Sequence, residues 1–258
     1  MKRALPRHVL ITGATGGIGG ALALAMAREG SRVGVSGRRA AELERLAGRC
    51  TASLDARVCD VTDAAAMERW LVESDDRDPV DCVIACAGYG GGETLAGVAG
   101  ESAETARRIF DVNVHGVVNT IAPLLPRMVG RRAGHLVIVA SVAGLIALPD
   151  SPAYCGSKSA VIAYGEGLRR LLKPFGVAVT LVCPGFVDTD MVRSLPLRPP
   201  FLWTAERAAE VILNAVRDRR TMVVFPWQMR VGVILARALP RFAVDFILDR
   251  LRARTFQK

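Results

Sequence analysis

Short apolar runs alternate with amphipathic segments along most of this chain of 258 residues. Residues 9–11 form an apolar run that ends in a glycine-rich turn, and apolar residues at helical spacing follow from 18 to 28. The same alternation predicts strands at 32–36, 56–59, 81–85, 135–140, 177–182 and 222–225, and helices at 40–48, 64–73, 103–128, 153–172 and 205–217. Strands separated by helices form parallel sheets with right-handed crossovers. We therefore expect an α/β fold with a doubly wound, seven-stranded parallel sheet flanked by helices.

Two segments do not follow this alternation. Residues 185–203 are rich in proline and apolar side chains, which predicts a long loop of the kind that often covers a binding site. Residues 226–258 predict an amphipathic helical extension that is broken at Pro240. We expect the extension to pack on a single domain formed by residues 1–225. Contact of the extension with an anionic membrane surface, or with a neighbouring subunit, is the open alternative.

Composition narrows the classes of partner. Aromatic residues make up only 5% of a chain that is 51% hydrophobic, so the core rests on aliphatic side chains, as suits a parallel sheet between helices. The net charge is +9, and residues 226–258 carry seven basic residues against Asp245 and Asp249. These basic residues alternate with apolar ones and accompany no nucleic-acid motif, so we expect no nucleic-acid partner.

The cysteines and histidines indicate neither a metal site nor a disulfide framework. Six cysteines are scattered through the chain, and His8, His115 and His135 do not fall at metal-ligand spacings. One long uncharged run, residues 133–149, is just short of the length that crosses a bilayer and contains Gly, Ser and His. We expect reduced thiols and a cytoplasmic protein, with membrane association through the extension left open.

The segment between the first strand and the first helix reads Thr-Gly-Ala-Thr-Gly-Gly-Ile-Gly at residues 12–19. Glycines in this position let backbone N–H groups approach a pyrophosphate at the N-terminus of a helix. The turn therefore predicts a Rossmann dinucleotide-binding domain, with a tight turn that binds no ligand as the alternative. The cofactor contacts expected from it are Gly13, Thr15, Gly16, Gly17, Ile18 and Gly19.

The end of the second predicted strand indicates which dinucleotide is bound. NAD-binding domains usually place an acidic residue there for the ribose hydroxyls, whereas an arginine suits a 2′-phosphate. This chain has Gly37 at that point, followed by Arg38 and Arg39. We therefore expect NADP(H) to be preferred. NAD(H) is the alternative if both arginines are solvated residues at the start of a helix.

Tyr154 and Lys158 are four residues apart on a predicted helix, a spacing that puts both side chains on one face. An unperturbed tyrosine has a pKa near ~10 and is a poor base at neutral pH. A neighbouring ammonium favours the phenolate, so we expect Lys158 to bring the pKa of Tyr154 towards the working range. Ser141 ends an apolar strand before this helix.

Together these residues resemble the short-chain dehydrogenase/reductase family, in its short single-domain branch, to about Phe225. The glycine turn matches the family's T-G-x-x-x-G-x-G motif, and residues 184–189 match its P-G-x-V-x-T segment. Ser141 precedes Tyr154 by thirteen residues, which is the family's spacing, and the resemblance implies that its hydroxyl bonds the substrate oxygen and holds a developing alkoxide. Residues 85–88 resemble its N-N-A-G motif, but Ala and Cys replace the two asparagines.

The resemblance also implies roles for individual residues. Asp60, next to Val61, is implied to contact the adenine, and Asn113 to support a water that relays protons through Lys158. The implied catalytic residues are Asn113, Ser141, Tyr154 and Lys158. The further implied cofactor contacts are Asp60, Val61, Ala87, Gly88, Tyr154, Lys158, Pro184, Gly185, Val187 and Thr189.

The function so implied is an oxidoreductase that transfers a hydride between NADP(H) and a carbonyl or secondary alcohol, with Tyr154 as general acid or base. Apolar side chains in residues 185–203 suggest a lipophilic ketone or alcohol, with Phe186 and Met191 joining Ser141 and Tyr154 at the substrate. The alternative is that these side chains only pack the loop onto the sheet. No metal is expected, and the resemblance implies a homo-oligomer, a dimer or tetramer. Two other functions stay open, namely NADP(H) binding without turnover and a membrane-peripheral scaffold.

Overall fold

The computed structural model describes residues 3–50, 53–90, 94–95, 98–99, 101–195 and 199–256, with the backbone alone at 94–95, 98–99 and 251–256. Its strands are β1 (His8–Thr12), β2 (Arg32–Gly37), β3 (Leu54–Val58), β4 (Cys82–Ala85), β5 (Thr94–Leu95), β6 (Val98–Ala99), β7 (Gly134–Val139), β8 (Val177–Pro184) and β9 (Met222–Phe225). Its α-helices are α1 (Gly17–Arg28), α2 (Ala40–Gly48), α3 (Ala64–Arg77), α4 (Ala103–Phe110), α5 (Gly116–Ile121), α6 (Leu125–Gly130), α7 (Pro152–Leu172), α8 (Asp190–Arg193), α9 (Ala205–Arg217), α10 (Trp227–Ala238) and α11 (Arg241–Phe256).

Seven strands form one parallel sheet in the order β3-β2-β1-β4-β7-β8-β9, and β5 and β6 form a separate antiparallel pair. Val9 in β1 pairs with Val33 in β2 on one side and with Cys82 in β4 on the other. The strand order reverses between β1 and β4, and sheets of this kind bind ligands outside the carboxyl ends of the strands at that point. The predicted doubly wound Rossmann fold is confirmed, with strand ends that differ by one or two residues.

The sheet separates two hydrophobic cores because successive side chains of a strand point to opposite faces. Val9 and Ile11 enter the core that α1, α2 and α9 cover. Leu10, between them, enters the core that α3, α5 and α7 cover, together with the buried Trp70 of α3. Strands buried on both faces explain why the sequence shows uninterrupted apolar runs rather than alternation.

The single helix predicted at 103–128 is wrong. The chain instead forms α4, a π-helical turn at Asp111–His115, α5, a 3₁₀ turn at Ala122–Leu124 and α6. Pro123 and Pro126 have no amide hydrogen to donate, which accounts for the break after α5. The π-helical turn contains Asn113, and such turns often occur at functional sites.

The loop predicted at 185–203 has more structure than expected. It contains the short helix α8 and a parallel bridge between Val187 and Trp203. The ring of Trp203 stacks on Phe225 with the centroids 5.2 Å apart, so this part of the loop packs onto the last strand. After β9, α10 and α11 flank Pro240. Among the described residues, no helix is both long enough and apolar enough to cross a membrane.

His135 is buried in β7, and we expect it to make the fold less stable in acid. Its Nε2 donates to Thr180 Oγ1 at 2.8 Å, because the Thr180 hydroxyl itself donates to the Arg220 carbonyl. Burial, helped by nearby Arg219, lowers the pKa of His135 from 6.5 to about 4. Between these pH values the unfolded chain binds a proton that the folded chain does not. Stability therefore falls as the pH falls, by about 3 kcal/mol across the window.

Urea denaturation at a series of pH values measures this effect. In a His135→Gln variant, the free energy of unfolding should depend less on pH between 4 and 6.5 than in the parent protein. His115→Gln is the matched control, because His115 is exposed, and it should leave the pH dependence unchanged. An unaltered pH dependence in the His135 variant would contradict the assignment.

Candidate active site

A cavity of about 330 Å³ lies at the carboxyl ends of the parallel strands. Residues that follow or end β1, β2, β3, β4, β7 and β8 line it, so it sits at the switch point of the sheet. Asn113 and Phe186 are the two expected site residues that do not line it. Those that do are Gly13, Thr15, Gly16, Gly17, Ile18, Gly19, Arg38, Arg39, Asp60, Val61, Ala87, Gly88, Ser141, Tyr154, Lys158, Pro184, Gly185, Val187, Thr189 and Met191.

The glycine turn has a shape that only glycine permits at Gly13. Its φ of +72° is in the left-handed region, and a Cβ there would lie 2.6 Å from Cα of Ala87. Helix α1 follows, with Gly16 as an N-cap that offers no side-chain acceptor and no acidic residue in its first turn. The first amides of a helix have no intrahelical acceptor, and residues 16–19 line the cavity. These amides and the positive end of the helix dipole fit the pyrophosphate of a dinucleotide.

The turn after β4 is held by Thr12 rather than by the asparagines of an N-N-A-G motif. Thr12 Oγ1 accepts from the amides of Cys86 and Ala87, at 3.2 and 3.5 Å, and donates to the Ile84 carbonyl at 3.4 Å. Ala87 and Gly88 still line the cavity. A buried hydroxyl on β1 therefore supplies the local hydrogen bonds at this turn.

Gly37, Arg38 and Arg39 line the cavity where β2 ends. A Cβ at Gly37 would lie 2.6 Å from Cγ2 of Thr15, so an acidic residue cannot stand there unless Thr15 moves. The guanidinium of Arg38 lies 3.8 Å from Asp60, and that of Arg39 donates to the Thr15 carbonyl at 2.7 Å. The two side chains are 52% and 53% exposed, so each keeps N–H donors for a ligand.

Tyr154 and Lys158 lie one turn apart on α7 and meet Ser141 at the cavity. Nζ of Lys158 lies 5.8 Å from the centre of the Tyr154 ring and donates to the Val139 carbonyl at 3.0 Å. Ser141 Oγ donates to the Pro184 carbonyl at 3.4 Å and accepts from the Ala143 amide at 3.1 Å, and its hydroxyl lies close enough to the Tyr154 phenol to act on the pKa of that group. The predicted placement of both groups on one helix face is thus what the structure has.

The pKa of the tyrosine differs from the expectation. Burial raises the pKa of Tyr154, and the neighbouring Ser141 hydroxyl opposes that effect only in part. Burial also lowers the pKa of Lys158 to about 8. The expected lowering of the phenol pKa by Lys158 is not found, because burial disfavours the phenolate more strongly than the neighbouring groups favour it.

Asn113 is fully buried behind the wall of the cavity. Its Oδ1 accepts from the Tyr89 amide at 2.7 Å, and its Nδ2 donates to the Tyr89 carbonyl and to Ser157 Oγ, each at 2.9 Å. The side chain thereby ties the segment after β4 to the helix that carries Tyr154. The water relay through Lys158 stays a prediction.

Glu101 belongs to the site although no sequence pattern indicated it. Ser151, the N-cap of α7, makes no side-chain capping bond. The Glu101 carboxylate instead accepts from the amides of Ala153 and Tyr154, at 2.5 and 3.0 Å. Glu101 and Tyr154 are 53 positions apart and share no motif, so only the folded chain reveals the contact. Glu101 holds the start of the helix that presents Tyr154.

Glu101→Ala is expected to lower the free energy of unfolding by about 2 kcal/mol, because two amides lose a charged acceptor. We also expect kcat to fall roughly tenfold, since Tyr154 lies in the loosened turn. Thermal unfolding and steady-state kinetics measure the two effects. Glu44→Ala, at an exposed position of α2, should change neither. A Glu101→Ala enzyme with the parent's stability and kcat would rule out this role.

The loop after β8 places one of its two expected apolar residues at the cavity. A Cβ at Gly90 would lie 3.1 Å from Sδ of Met191 and 3.5 Å from the Tyr154 ring, so the thioether lies beside the tyrosine. Phe186 lies in an extended stretch in which Gly185 and Val187 line the cavity. Alternate side chains of such a stretch point in opposite directions, which takes Phe186 away from it.

No cluster of three or more His, Cys, Asp or Glu side chains that could hold a metal ion occurs in the described ranges. The six cysteines are free thiols, and Cys86 lines the cavity. Burial raises the pKa of Cys86 to about 11, so it is a thiol at neutral pH. Beside Ser141, Tyr154 and Lys158 therefore remain the candidates for proton transfer.

The fold and the residues that line the cavity together indicate the class of protein. A helix N-terminus shaped for pyrophosphate and a Ser–Tyr–Lys group open into one cavity of a Rossmann sheet, as in a dinucleotide-dependent oxidoreductase. Comparison with known proteins then identifies the family. The family model described as short chain dehydrogenase matches residues 7–199. The chain belongs to this family of NAD(P)-dependent oxidoreductases.

Individual relatives agree with this assignment. Over 250 residues, 95% of this chain and 98% of the relative, the chain is 36% identical to an uncharacterized oxidoreductase of Myxococcus xanthus. Over 200 residues, 73% and 70% of the two chains, it is 36% identical to 1-deoxy-11-beta-hydroxypentalenate dehydrogenase of Streptomyces exfoliatus. A solved short chain dehydrogenase/reductase from Burkholderia phymatum, in complex with NAD, superposes with a TM-score of 0.81 at 26% identity, covering 92% of this chain and 95% of that one.

Proposed function

We propose that the protein transfers a hydride between NADP(H) and a carbonyl or secondary alcohol, with Tyr154 as general acid in reduction and general base in oxidation. The observation that carries the proposal is that Tyr154, Ser141 and Lys158 line the same cavity as the glycine turn. Proton-transferring groups and an anion-binding helix end thereby share one site.

When bound, the nicotinamide supplies or accepts the hydride. The Tyr154 hydroxyl gives its proton to the carbonyl oxygen as the substrate carbon is reduced, and takes a proton from the hydroxyl when an alcohol is oxidised. Ser141, which lines the cavity with Tyr154, holds the same oxygen and stabilises the charge that develops on it. The raised pKa of Tyr154 keeps the phenol protonated at neutral pH, as a proton donor must be.

Lys158 keeps a positive charge near the phenol. With its pKa lowered to about 8, the side chain is still mostly an ammonium at neutral pH. The charge stabilises the phenolate that forms once Tyr154 has given up its proton. The remaining ammonium donors suit the hydroxyls of the nicotinamide ribose. Asn113 does not line the cavity, and it contributes by positioning α7 through its hydrogen bond to Ser157.

NADP(H) is the preferred cofactor in this proposal. Arg38 lies at the end of β2, where a Rossmann domain places the adenosine ribose, and Gly37 offers no carboxylate to the ribose hydroxyls. The half-exposed guanidinium of Arg38 suits a 2′-phosphate. NAD(H) is the alternative, which the NAD in the Burkholderia phymatum structure favours.

Arg38→Ala is expected to raise KM for NADPH roughly 10- to 100-fold and to leave KM for NADH nearly unchanged, because a hydrogen bond between charged groups contributes about 1.5–3 kcal/mol. Steady-state kinetics with each cofactor measures the difference. Arg45→Ala is the control, since Arg45 pairs with Glu42 on the exposed side of α2, and it should affect neither cofactor. Equal losses with NADPH and NADH would argue against recognition of the 2′-phosphate.

The substrate in this proposal is a lipophilic ketone or alcohol. Met191 and Val192 contribute apolar side chains to the cavity wall beside Tyr154. The test follows the absorbance of NADPH, and separately of NADH, with purified protein and ketones from short to long chain. Turnover should increase with chain length. Cofactor binding without turnover on any ketone would instead support a non-catalytic NADP(H)-binding protein.

A homo-oligomer, either a dimer or a tetramer, completes the proposal. Phe110 of α4 and Leu171 of α7 are large apolar side chains that stay exposed, and we expect α4 and α7 to form the contact. Light scattering after size exclusion measures the mass in solution. A monomer at all concentrations would contradict this part of the proposal and leave the chemistry untouched.

A further inference from the structure

The two C-terminal helices each expose large apolar side chains. Trp227 is 68% exposed and Phe242 77% exposed, values that are unusual for residues of this size. Exposed apolar patches of this kind mark sites of interaction. The C-terminal apolar surface, as we name it, consists of Trp227, Val231, Ile234 and Leu235 of α10 and Phe242, Phe246 and Ile247 of α11.

The opposite face of α10 is anchored to the rest of the protein. Val233 is buried, and a Cβ at Gly185 would lie 3.0 Å from Cδ of Pro226 and 3.2 Å from Cγ of Met229. Gly185 lines the cavity. The C-terminal apolar surface therefore points away from the domain on a helix that packs against the wall of the site, and the domain itself does not cover it.

Arginines lie among these apolar side chains and indicate the chemistry of the occupant. Arg230, Arg237 and Arg241 are exposed. Arg230 lies three positions after Trp227 and four before Ile234, a spacing that puts it beside both on the helix. Arg237 lies three positions after Ile234, and Arg241 is next to Phe242. The guanidinium of Arg250 lies 4.5 Å above the ring of Phe246. Aromatic and aliphatic side chains interleaved with arginine are typical of helices that lie in the interface of an anionic bilayer.

A second copy of the chain is a poorer occupant. Residues 226–258 carry seven basic residues against two acidic ones, so two copies of this segment brought face to face would repel each other. Anionic headgroups, in contrast, neutralise the arginines while the acyl chains receive the aromatic rings. We propose that the C-terminal apolar surface docks the protein on an anionic lipid bilayer, with α10 and α11 lying in the interface. Docking would bring the cavity wall within about one helix diameter, ~10 Å, of the lipid.

Binding of the full-length protein to vesicles tests the proposal without any assay of turnover. Co-sedimentation compares vesicles of phosphatidylcholine alone with vesicles that also contain phosphatidylglycerol. Binding should require phosphatidylglycerol and weaken with added salt, because salt screens exposed charges. Brominated acyl chains should quench the emission of the parent protein and not that of a Trp227→Phe variant, since Trp70 is buried and Trp203 packs on Phe225.

Paired variants separate the charge from the apolar contribution. Arg230→Gln combined with Arg237→Gln should weaken vesicle binding on the order of 30-fold. Trp227→Ser combined with Phe242→Ser should weaken it at least roughly tenfold. Val58→Ser is the control, because Val58 is an exposed apolar residue on β3, at the opposite edge of the sheet from β9, and it should bind like the parent.

Three outcomes would overturn the proposal. The first is equal binding to neutral and anionic vesicles, and the second is no binding to either. The third is a Trp227→Ser, Phe242→Ser variant that binds vesicles like the parent but loses mass in light scattering, which would make the surface a contact between subunits. Circular dichroism of each variant shows whether it is folded, and Leu235→Ser serves as a second apolar variant if the double variant is not.

Discussion

Tyr154→Phe is expected to reduce kcat/KM for carbonyl reduction by roughly 10²- to 10⁴-fold, because the general acid is removed. The substitution deletes one oxygen and keeps the ring beside Met191, so the cavity retains its shape. Affinity for NADPH, measured by fluorescence titration, should stay unchanged because the glycine turn is not altered. The loss should therefore appear in the chemical step rather than in cofactor binding.

Tyr164→Phe is the matched control for this experiment. Tyr164 lies on the same helix, and burial raises its pKa as well, but it does not line the cavity. The control should keep the parent's kinetics. A Tyr154→Phe protein with unreduced turnover would show that the phenol is not the proton donor, and the proposed chemistry would fail with it.

Lys158→Met should lower turnover and raise stability at the same time. Lys158 is buried, and burial lowers its pKa from 10.5 to about 8. At pH 7 the lysine is charged in both the folded and the unfolded chain, so the full cost of the buried charge, about 3 kcal/mol, is present. Methionine removes this cost and loses the bond to Val139, for a net gain of about 1–2 kcal/mol. We expect turnover to fall roughly 100-fold, because the phenolate loses its ammonium.

The pH dependence of the free energy of unfolding tests whether the buried charge of Lys158 destabilises the fold. As the pH rises from about 8 towards 10.5, the folded parent releases the Lys158 proton before the unfolded chain does. The free energy of unfolding of the parent should therefore rise over that range. The difference in stability between the Lys158→Met variant and the parent should shrink accordingly. Lys173→Met, at an exposed position after α7, should alter neither stability nor turnover. A Lys158→Met protein that is less stable than the parent at pH 7 would refute the cost of the buried charge.

Local patterns suffice for most of the fold. The inner strands of the parallel sheet, such as β4, are apolar runs because strands buried on both faces carry apolar residues throughout, whereas the edge strand β3 carries Asp55 and Arg57. The single helix predicted for the region of α4 to α6 is wrong because that prediction, too, used only the local pattern. Its apolar periodicity continues through Asn113 and Pro123, so the pattern alone does not reveal the π-helical turn or the break.

The candidate site likewise combines features that a local motif predicts with features that it does not predict. Gly13 and the Tyr154–Lys158 pair are set by short motifs whose geometry follows from one turn or one helix, and they were predictable. Glu101 reaches α7 from a distant segment, and Thr12 replaces two absent asparagines from a neighbouring strand. Tertiary packing alone creates such contacts. The pKa of Tyr154 belongs to this group too, since burial rather than spacing decides its direction.

The division of the interior by the sheet has a consequence for engineering. Ala14 and Val187, on the pyrophosphate side, rest on one core, whereas Ala140 and Cys183, beside the reacting groups, rest on the other. Substitutions that share no neighbours generally have additive effects on stability. Substitutions behind Ala14 and Val187 can therefore be selected in a library separate from substitutions behind Ala140 and Cys183, and the best clones of the two libraries recombined.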